Sequence, residues 1–205
     1  MKTWPNHRAL LTVSLPAVSL LLLIGVATTA LAEAEKSTGN VNVFLGTKSL
    51  EEEDWGPVED QGEAGIEFDF RDTNWPINVA LGFRRSEADE TFVDPFFGPV
   101  DATGRTTELS FGVRKIWDQS GIVSPYLGGG LTLVEAEFEA TVSGVSGSDS
   151  DSSVGLWFGG GVYFTLADHF NIGLDLRFSA ADATLFGVDG GAGGRHLGLL
   201  VGYHF

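Results

Sequence analysis

Several charged side chains in this sequence recur at every second position. Glu67, Asp69 and Arg71 follow this spacing, and so do Asp175 and Arg177. Residues two apart on an extended strand point to the same face, so these acids and bases would lie side by side. The pattern favours ion pairing in an enclosed space, because buried charges must be paired whereas solvated charges need not be. The predicted network has five bases and four acids: Lys48, Arg71, Arg84, Arg114, Arg177, Glu67, Asp69, Glu108 and Asp175.

The composition excludes several other kinds of chemistry. The 205 residues include no cysteine, which excludes disulfides, thiolate zinc sites, iron–sulfur clusters and thiol catalysis. The 12 Lys and Arg against 28 Asp and Glu give a formal charge of −16, the wrong sign for a nucleic-acid partner. The glycine-rich runs at 128–130, 159–161 and 190–194 lack the strand–loop–helix context and the Lys-Ser/Thr pair of a phosphate-binding loop. We therefore predict no cofactor and no nucleic-acid partner.

The elements that must position these charges have a periodicity of two, which is typical of β-strands. Eight segments after residue 39 alternate apolar with polar residues, for example Ile172, Leu174 and Leu176 with Gly173 and Asp175. Short connections (72–75, 118–124 and 167–169) alternate with long ones (49–62, 86–104, 135–153 and 181–194). Short turns at one end and long loops at the other are typical of an outer-membrane barrel. The sequence thus predicts an all-β fold, an eight-stranded antiparallel up-and-down transmembrane β-barrel.

The residues on the polar face indicate that this face lines the lumen. Glycine occupies the polar face twelve times and the apolar face twice. A solvent-facing strand position gains nothing from glycine, whereas a narrow lumen needs small residues beside long ones. The near balance of acids and bases on this face also favours an enclosed network. The alternative is a soluble, lipocalin-like periplasmic carrier, in which the apolar stripe would face inward.

The first segment of the chain reads as an export signal. Residues 1–32 combine a basic start, an apolar run and the small-x-small site Ala30-Leu31-Ala32, which predicts cleavage after Ala32. An uncleaved membrane anchor is the alternative, and the length of the apolar run permits it. Residues 33–39 would then form a short periplasmic lead, and residues 40–205 would form the barrel domain.

Three stretches resemble the family of small outer-membrane β-barrel domains, described as porin-like or OmpA-type. They are the segments 124–131 (SPYLGGGL), 172–179 (IGLDLRFS) and 198–205 (GLLVGYHF). The resemblance implies a location in the cell outer membrane. It also implies that the C-terminal residues Leu199, Val201, Tyr203 and Phe205 form the signal read by the barrel assembly machinery. Functions in this family include adhesion, envelope integrity and lipid modification.

The lipid A deacylases among small barrels raise the question of catalysis. Those enzymes carry a His-x-Ser pair, with serine as nucleophile and histidine as base. Here Ser179 is preceded two positions earlier by Arg177, and an arginine cannot deprotonate a serine at neutral pH. The strand pattern places none of His169, His196 and His204 within local reach of a serine. We therefore predict no catalytic residues and no enzyme activity.

The long connections contain 18 acidic residues and no Lys or Arg. Such clusters either bind divalent cations, which could bridge to lipopolysaccharide, or form solvated, mutually repelling surfaces. We expect outer-membrane lipid and lipopolysaccharide as surroundings, and the extracellular partner is left open. The predicted role is structural or surface-interacting. The alternatives are a narrow pore for small solutes, a lipid A-modifying enzyme and the soluble carrier.

Overall fold

The computed structural model of the chain describes residues 37–96, 98–117 and 121–205, so the predicted signal peptide lies outside the described residues. Among the described residues, no helix is long and apolar enough to cross a membrane. A short helix α1 (Glu52–Trp55) and a 3-10 turn (Gly56–Val58) follow the first strand. The strands are β1 (Ser37–Ser49), β2 (Asp60–Asp72), β3 (Asn78–Asp94), β4 (Gly98–Ile116), β5 (Val123–Val142), β6 (Val145–Leu166), β7 (Phe170–Ala180), β8 (Asp182–Leu185), β9 (Val188–Gly191) and β10 (Gly194–His204).

Eight of these strands close into an antiparallel barrel in the order β1-β10-β7-β6-β5-β4-β3-β2. The first and last strands close the ring, with Val43 opposite Val201. The remaining two strands, β8 and β9, form a separate hairpin between β7 and β10. The eight-stranded up-and-down barrel predicted from the alternation is confirmed. β1 begins at Ser37, three residues before the predicted boundary, because residues 37–39 already pair with β2.

The polar face of the barrel lies inside and the apolar face lies outside. Leu45 and Phe111 are 59% and 57% exposed on the outer surface, whereas Arg84 in the lumen is only 1% exposed. A barrel in water would have the opposite arrangement, because apolar side chains gain free energy by leaving water. The observed pattern is that of a barrel surrounded by lipid. The alternative of a soluble carrier is therefore wrong.

Glycines in the lumen make room for large inward side chains, as the sequence pattern predicts. A methyl group on Gly198 would lie 2.6 Å from the ring of Phe44, and one on Gly161 would lie 2.5 Å from the Tyr126 hydroxyl. The phenyl and phenol rings are buried in the same cluster as Tyr163 and Leu200. The small residues thus allow the barrel to be filled by side chains without widening.

The two ends of the barrel differ in height. At the short-turn end, compact connections join β2 to β3 and β6 to β7. At the opposite, long-hairpin end, β3–β6 continue past their last pairs with β2 and β7, which are Glu87 with Gly62 and Leu156 with Ala180. Residues 88–96, 98–104 and 132–155 therefore form a projecting sheet, which we call the tall wall.

The tall wall differs from the loops expected at 86–104 and 135–153. Only Ser143 and Gly144 separate β5 from β6, and β3 and β4 pair as far as Asp94 and Gly98. These segments lack a clear apolar–polar alternation. A sheet that projects beyond the bilayer has no lipid-facing side, so neither of its faces needs to be apolar. The acids of these segments consequently lie on rigid strands.

Candidate functional site

The centre of the lumen is the carboxylate of Glu67 on β2, which three arginines from three other strands surround. Arg84 Nη2 and Arg177 Nη2 lie 2.5 and 2.6 Å from Glu67 Oε1. Arg114 Nη2 lies 2.8 Å from Glu67 Oε2. All four side chains are buried. One carboxylate thus ties β2 to β3, β4 and β7 across the barrel.

A second carboxylate, Asp175 on β7, extends this cluster. Arg84 Nη2 lies 2.6 Å from Asp175 Oδ1, and the Tyr126 hydroxyl donates a hydrogen bond of 2.5 Å to Oδ2. The ring of Tyr126 stacks on that of Tyr163, with centroids 4.6 Å apart, and the Tyr163 hydroxyl accepts a hydrogen bond from Arg114. The tyrosine hydroxyls therefore supply further hydrogen-bond partners to the buried charges of Asp175 and Arg114.

The third carboxylate, Asp69, lies nearer the short-turn end. Arg114 Nη1 is 3.3 Å from Asp69 Oδ2. The amides of Asn40 and Asn78 donate to Asp69 Oδ1 at 2.9 and 2.7 Å. Each oxygen of this buried carboxylate therefore has a donor, which reduces the cost of burying its charge.

Aromatic rings cover the faces of the same arginines. Guanidinium groups over aromatic rings gain cation–π energy that grows as water is excluded. The three pairs are Arg84 with Phe44 (3.8 Å), Arg114 with Tyr126 (4.4 Å) and Arg177 with Trp157 (4.4 Å).

A separate ion pair lies towards the long-hairpin end. Lys48 Nζ is 2.7 Å from Glu108 Oε1, and it also donates to Thr106 Oγ1 (2.8 Å) and to the carbonyl of Ala192 (2.9 Å). Because Ala192 follows the β8–β9 hairpin, this lysine fastens the returning chain to the top of the lumen.

Ser179, His196 and Glu63 lie in a row beside this ion pair. Ser179 Oγ is 2.9 Å from His196 Nε2, and His196 Nδ1 is 2.8 Å from Glu63 Oε1. The expectation that no histidine lies within reach of a serine is wrong for His196. The two residues belong to β7 and β10, which are consecutive strands of the barrel, and their contact depends on the register of this pair, which the alternation does not fix.

The hydroxyl of Ser179 does not meet His196 alone. A serine hydroxyl has a single proton, and Ser179 Oγ has two acceptors for it, His196 Nε2 at 2.9 Å and Glu108 Oε1 at 3.1 Å. Its oxygen also accepts from the backbone N–H of Gly194 at 3.2 Å. Activation by histidine requires that the hydroxyl proton be directed to the imidazole. Here Glu108, the ion-pair partner of Lys48, competes with His196 for that proton, and His196 is fully buried.

The structure brings eight of the nine sequence-predicted charges into the buried lumen, the exception being Arg71. Arg71 is half-buried at the short-turn end, where it donates to the carbonyl of Trp75 at 2.7 Å. The strand leaves the lumen before residue 71, whereas alternation alone continues the inward face to the end of the strand. The sequence pattern does not identify Glu63 and His196 as members of the network. Each nevertheless lies an even number of residues from an inward-facing position of the same strand, Glu67 or Gly198.

The C-terminal residues predicted as an assembly signal lie at the seam between the first and last strands. Leu199, Val201 and Tyr203 are exposed on the outer face. Phe205 exchanges two backbone hydrogen bonds of 3.0 Å with Gly39, and its ring stacks on Phe68 with centroids 6.1 Å apart.

The long-hairpin end is closed by an apolar cluster. Leu50, Trp55 and Val58 from the first connection are buried with Ala183 and Ala192 from the last one. The Trp55 indole donates to the carbonyl of Gly191 at 2.7 Å, which fixes the two connections together. These residues form a plug over the charged lumen.

Several acids at this end accept backbone hydrogen bonds. Asp149 Oδ2 accepts from the N–H of Phe186 at 2.6 Å, and Asp151 Oδ2 accepts from the N–H of Thr184 at 2.8 Å. These carboxylates on β6 hold the β8–β9 hairpin against the tall wall. Within the part of the chain that the structure describes, no group of three or more acids and histidines converges as a metal site would require.

The fold and the lumen define a class, the eight-stranded transmembrane β-barrel with a polar interior. The chain belongs to the outer membrane protein β-barrel domain family, whose model matches residues 18–205. The protein is therefore located in the cell outer membrane. Comparison with curated protein sequences finds no match.

Solved structures share the fold at low sequence identity. The Ail protein of Yersinia pestis, solved with the heparin analogue sucrose octasulfate, is 18% identical, with a TM-score of 0.55 over 83% of this chain and 99% of that one. A major outer membrane protein of Thermus thermophilus is 13% identical, with a TM-score of 0.56 over 82% and 99%. OprG of Pseudomonas aeruginosa is 13% identical, with a TM-score of 0.55 over 83% and 96%.

Proposed function

We propose that this protein is a non-enzymatic, non-conducting outer-membrane barrel whose role is structural or surface-interacting. The observation that carries the proposal is the filled lumen, in which arginines, carboxylates and aromatic rings are packed together beneath a plug. A barrel whose interior is occupied acts through its outer surfaces. The tall wall and the connections of the long-hairpin end are outer surfaces of this kind.

The filled lumen argues against the narrow-pore alternative. An eight-stranded barrel is just wide enough for its own side chains. Arg84 and Arg177, which are 1% and 2% exposed, lie across the middle of the barrel. Opening a pathway for solutes would require breaking their ion pairs with Glu67, which leaves buried charges without partners.

The long-hairpin end faces the outside of the cell in this proposal, as the longer connections do in outer-membrane barrels. The four long connections contain 18 acids and no Lys or Arg, which gives the exposed end a strong negative charge. Ail binds a sulfated polyanion in its crystal structure, and this charge argues against the same ligand here. The acids would instead repel other anionic surfaces or meet lipopolysaccharide through divalent cations. The C-terminal strand would be read by the barrel assembly machinery during insertion.

Conductance measurements on the purified full-length barrel in planar bilayers test the proposal. We expect no large stable channel, because the lumen charges are paired and the plug covers them. An Arg84→Ala, Arg177→Ala double variant serves as the comparison, since it removes two side chains that cross the lumen. Reproducible large currents from the wild-type protein would contradict the proposal.

A further inference from the structure

A cavity of about 300 Å³ lies at the long-hairpin end, between α1, the tall wall and the β8–β9 hairpin. Three aromatic residues, Trp55, Phe138 and Phe186, line it. The Phe138 ring stands edge-on to both of the others, with centroids 6.5 Å from each. Three rings at such angles therefore line one small volume.

Carboxylates border the same cavity. Glu53 and Asp54 line it from α1, and Asp189 lines it from β9. No Lys or Arg is among the described residues that line the cavity, so the lining itself contains no basic partner for these carboxylates. Aromatic rings have a negative face, and the site therefore combines two sources of attraction for a cation.

We propose that this cavity binds a compact organic cation, an alkylated ammonium or guanidinium group. Such a group combines positive charge with an apolar surface, and its weak hydration makes it suited to an aromatic lining. The source of the group is either a small molecule such as choline or a basic side chain of a peptide. The inference extends the proposed surface role and rests on it, because the cavity at the long-hairpin end must be accessible from outside the cell.

The cavity is held open by hydrogen bonds that do not involve a ligand. Asp54 Oδ2 accepts from the N–H of Gly191 at 2.6 Å, which connects α1 to β9. The Phe186 N–H donates to Asp149 at 2.6 Å, which connects the hairpin turn to β6. A preformed site loses less conformational entropy on binding than one that must be assembled.

Other classes of ligand fit the cavity less well. Anions would be repelled by the bordering carboxylates. A divalent metal ion needs several converging oxygen ligands, and the described residues contain no such group of three. A neutral apolar molecule would fill the volume but would leave the carboxylates without a counter-charge, so it serves as the control ligand.

Isothermal titration of the full-length barrel with tetramethylammonium and choline tests the proposal. The protein is kept in a non-ionic detergent such as octyl glucoside, because phosphocholine detergents carry the same head group. We expect saturable binding of both cations that weakens with added NaCl, because the carboxylates are near the surface. We expect no binding of 3,3-dimethylbutanol, the neutral isostere of choline. Peptides Gly-Arg-Gly and Gly-Lys-Gly, with Gly-Gln-Gly as control, identify which source binds more tightly.

Two variants with matched controls locate the site. Phe186→Ala removes one ring and should weaken cation binding by roughly 2- to 30-fold, whereas Phe96→Ala removes an exposed ring outside the cavity and should not. Glu53→Gln should weaken binding, whereas Glu52→Gln on the same helix should not.

Equal binding of choline and its neutral isostere would overturn the proposal, and so would the absence of saturable binding by every cation tested. Either result would leave the conductance test of the proposed function unaffected. A large channel, by contrast, would contradict the proposed function whatever the titration shows.

Discussion

Glu67 accepts ion pairs from three arginines, so it is the residue on which the lumen network depends most. Glu67→Gln keeps the shape of the side chain and removes its charge. The three buried guanidinium groups would then lose the carboxylate with which all of them pair. We expect the free energy of unfolding to fall by about 3–5 kcal/mol, as when one partner of a buried ion pair is removed. Urea unfolding in lipid vesicles measures this change.

Glu52→Gln provides the control, because Glu52 is exposed on α1. Substitutions of exposed charges usually change stability by less than about 0.5 kcal/mol. Equally small effects of both substitutions would indicate that the lumen is solvated, and the assignment of the polar face to a packed interior would fail.

Ser179 gives a second prediction, because its contacts with His196 resemble those of a catalytic serine. Because Glu108 competes with His196 for the hydroxyl proton and His196 is fully buried, we expect no labelling of the folded protein by a fluorophosphonate probe. We expect Ser179→Ala to lower the free energy of unfolding by about 1–3 kcal/mol, because it leaves buried groups without a hydrogen-bond partner. Labelling that is lost in both Ser179→Ala and His196→Ala would instead reveal an active nucleophile.

The sequence predicts the inward face of the strands well but not the contacts across the barrel. Parity along β7 is sufficient to place Asp175 and Arg177 inside. Their partners belong to β2, β3 and β5, and no local spacing relates these strands to β7. Glu63 was missed because the residues around it are polar on both faces, so the alternation that identifies β2 begins only at Gly65.

At the scale of the strands, glycine determines which large residues the lumen can hold. Gly198→Val would place carbon atoms against the Phe44 ring, whose nearest atom would lie only 2.6 Å from a methyl group at this position. We expect a substantial loss of stability, of about 1–3 kcal/mol or more, because overpacking forces strain on neighbouring groups. Urea unfolding of the refolded barrel measures it.

Gly147→Val is the matched control, because nothing lies within 4 Å of the corresponding position on Gly147 of β6. Valine is favoured in strands, so this substitution should be neutral or slightly stabilising. Equal losses at both positions would mean that backbone effects, and not the filling of the lumen, explain the glycines.

Cross-strand ion pairs lie at the base of the tall wall. Arg105 on β4 lies 2.8 Å from Glu87 on β3 and 2.9 Å from Glu137 on β5. The hydrogen bonds with Glu87 and Glu137 hold the pKa of Arg105 above its ordinary value. Charges directly opposite one another on neighbouring strands favour a single register. Such pairs explain why segments that the sequence suggested were loops are regular strands.

The closed ring of strands gives a prediction for the molecule as a whole. Every barrel strand pairs with two neighbours, so no open sheet edge meets the lipid. We expect the folded protein to survive SDS without heating and therefore to migrate differently from a boiled sample. Identical migration of the two samples would contradict a closed barrel of this stability.

Because the strands have unequal lengths, one side of the barrel rises higher above the rim than the opposite side. Residues 145–155 of β6, which do not pair with β7, span about 35 Å at the usual rise per residue. In contrast, β7 and β10 end at the rim. A neighbouring molecule that approaches along the plane of the membrane meets an upright sheet from one direction and a low edge from the other. Contacts between such barrels therefore depend on their rotation about the membrane normal. Crowding in the membrane would orient these proteins relative to one another as well as concentrate them.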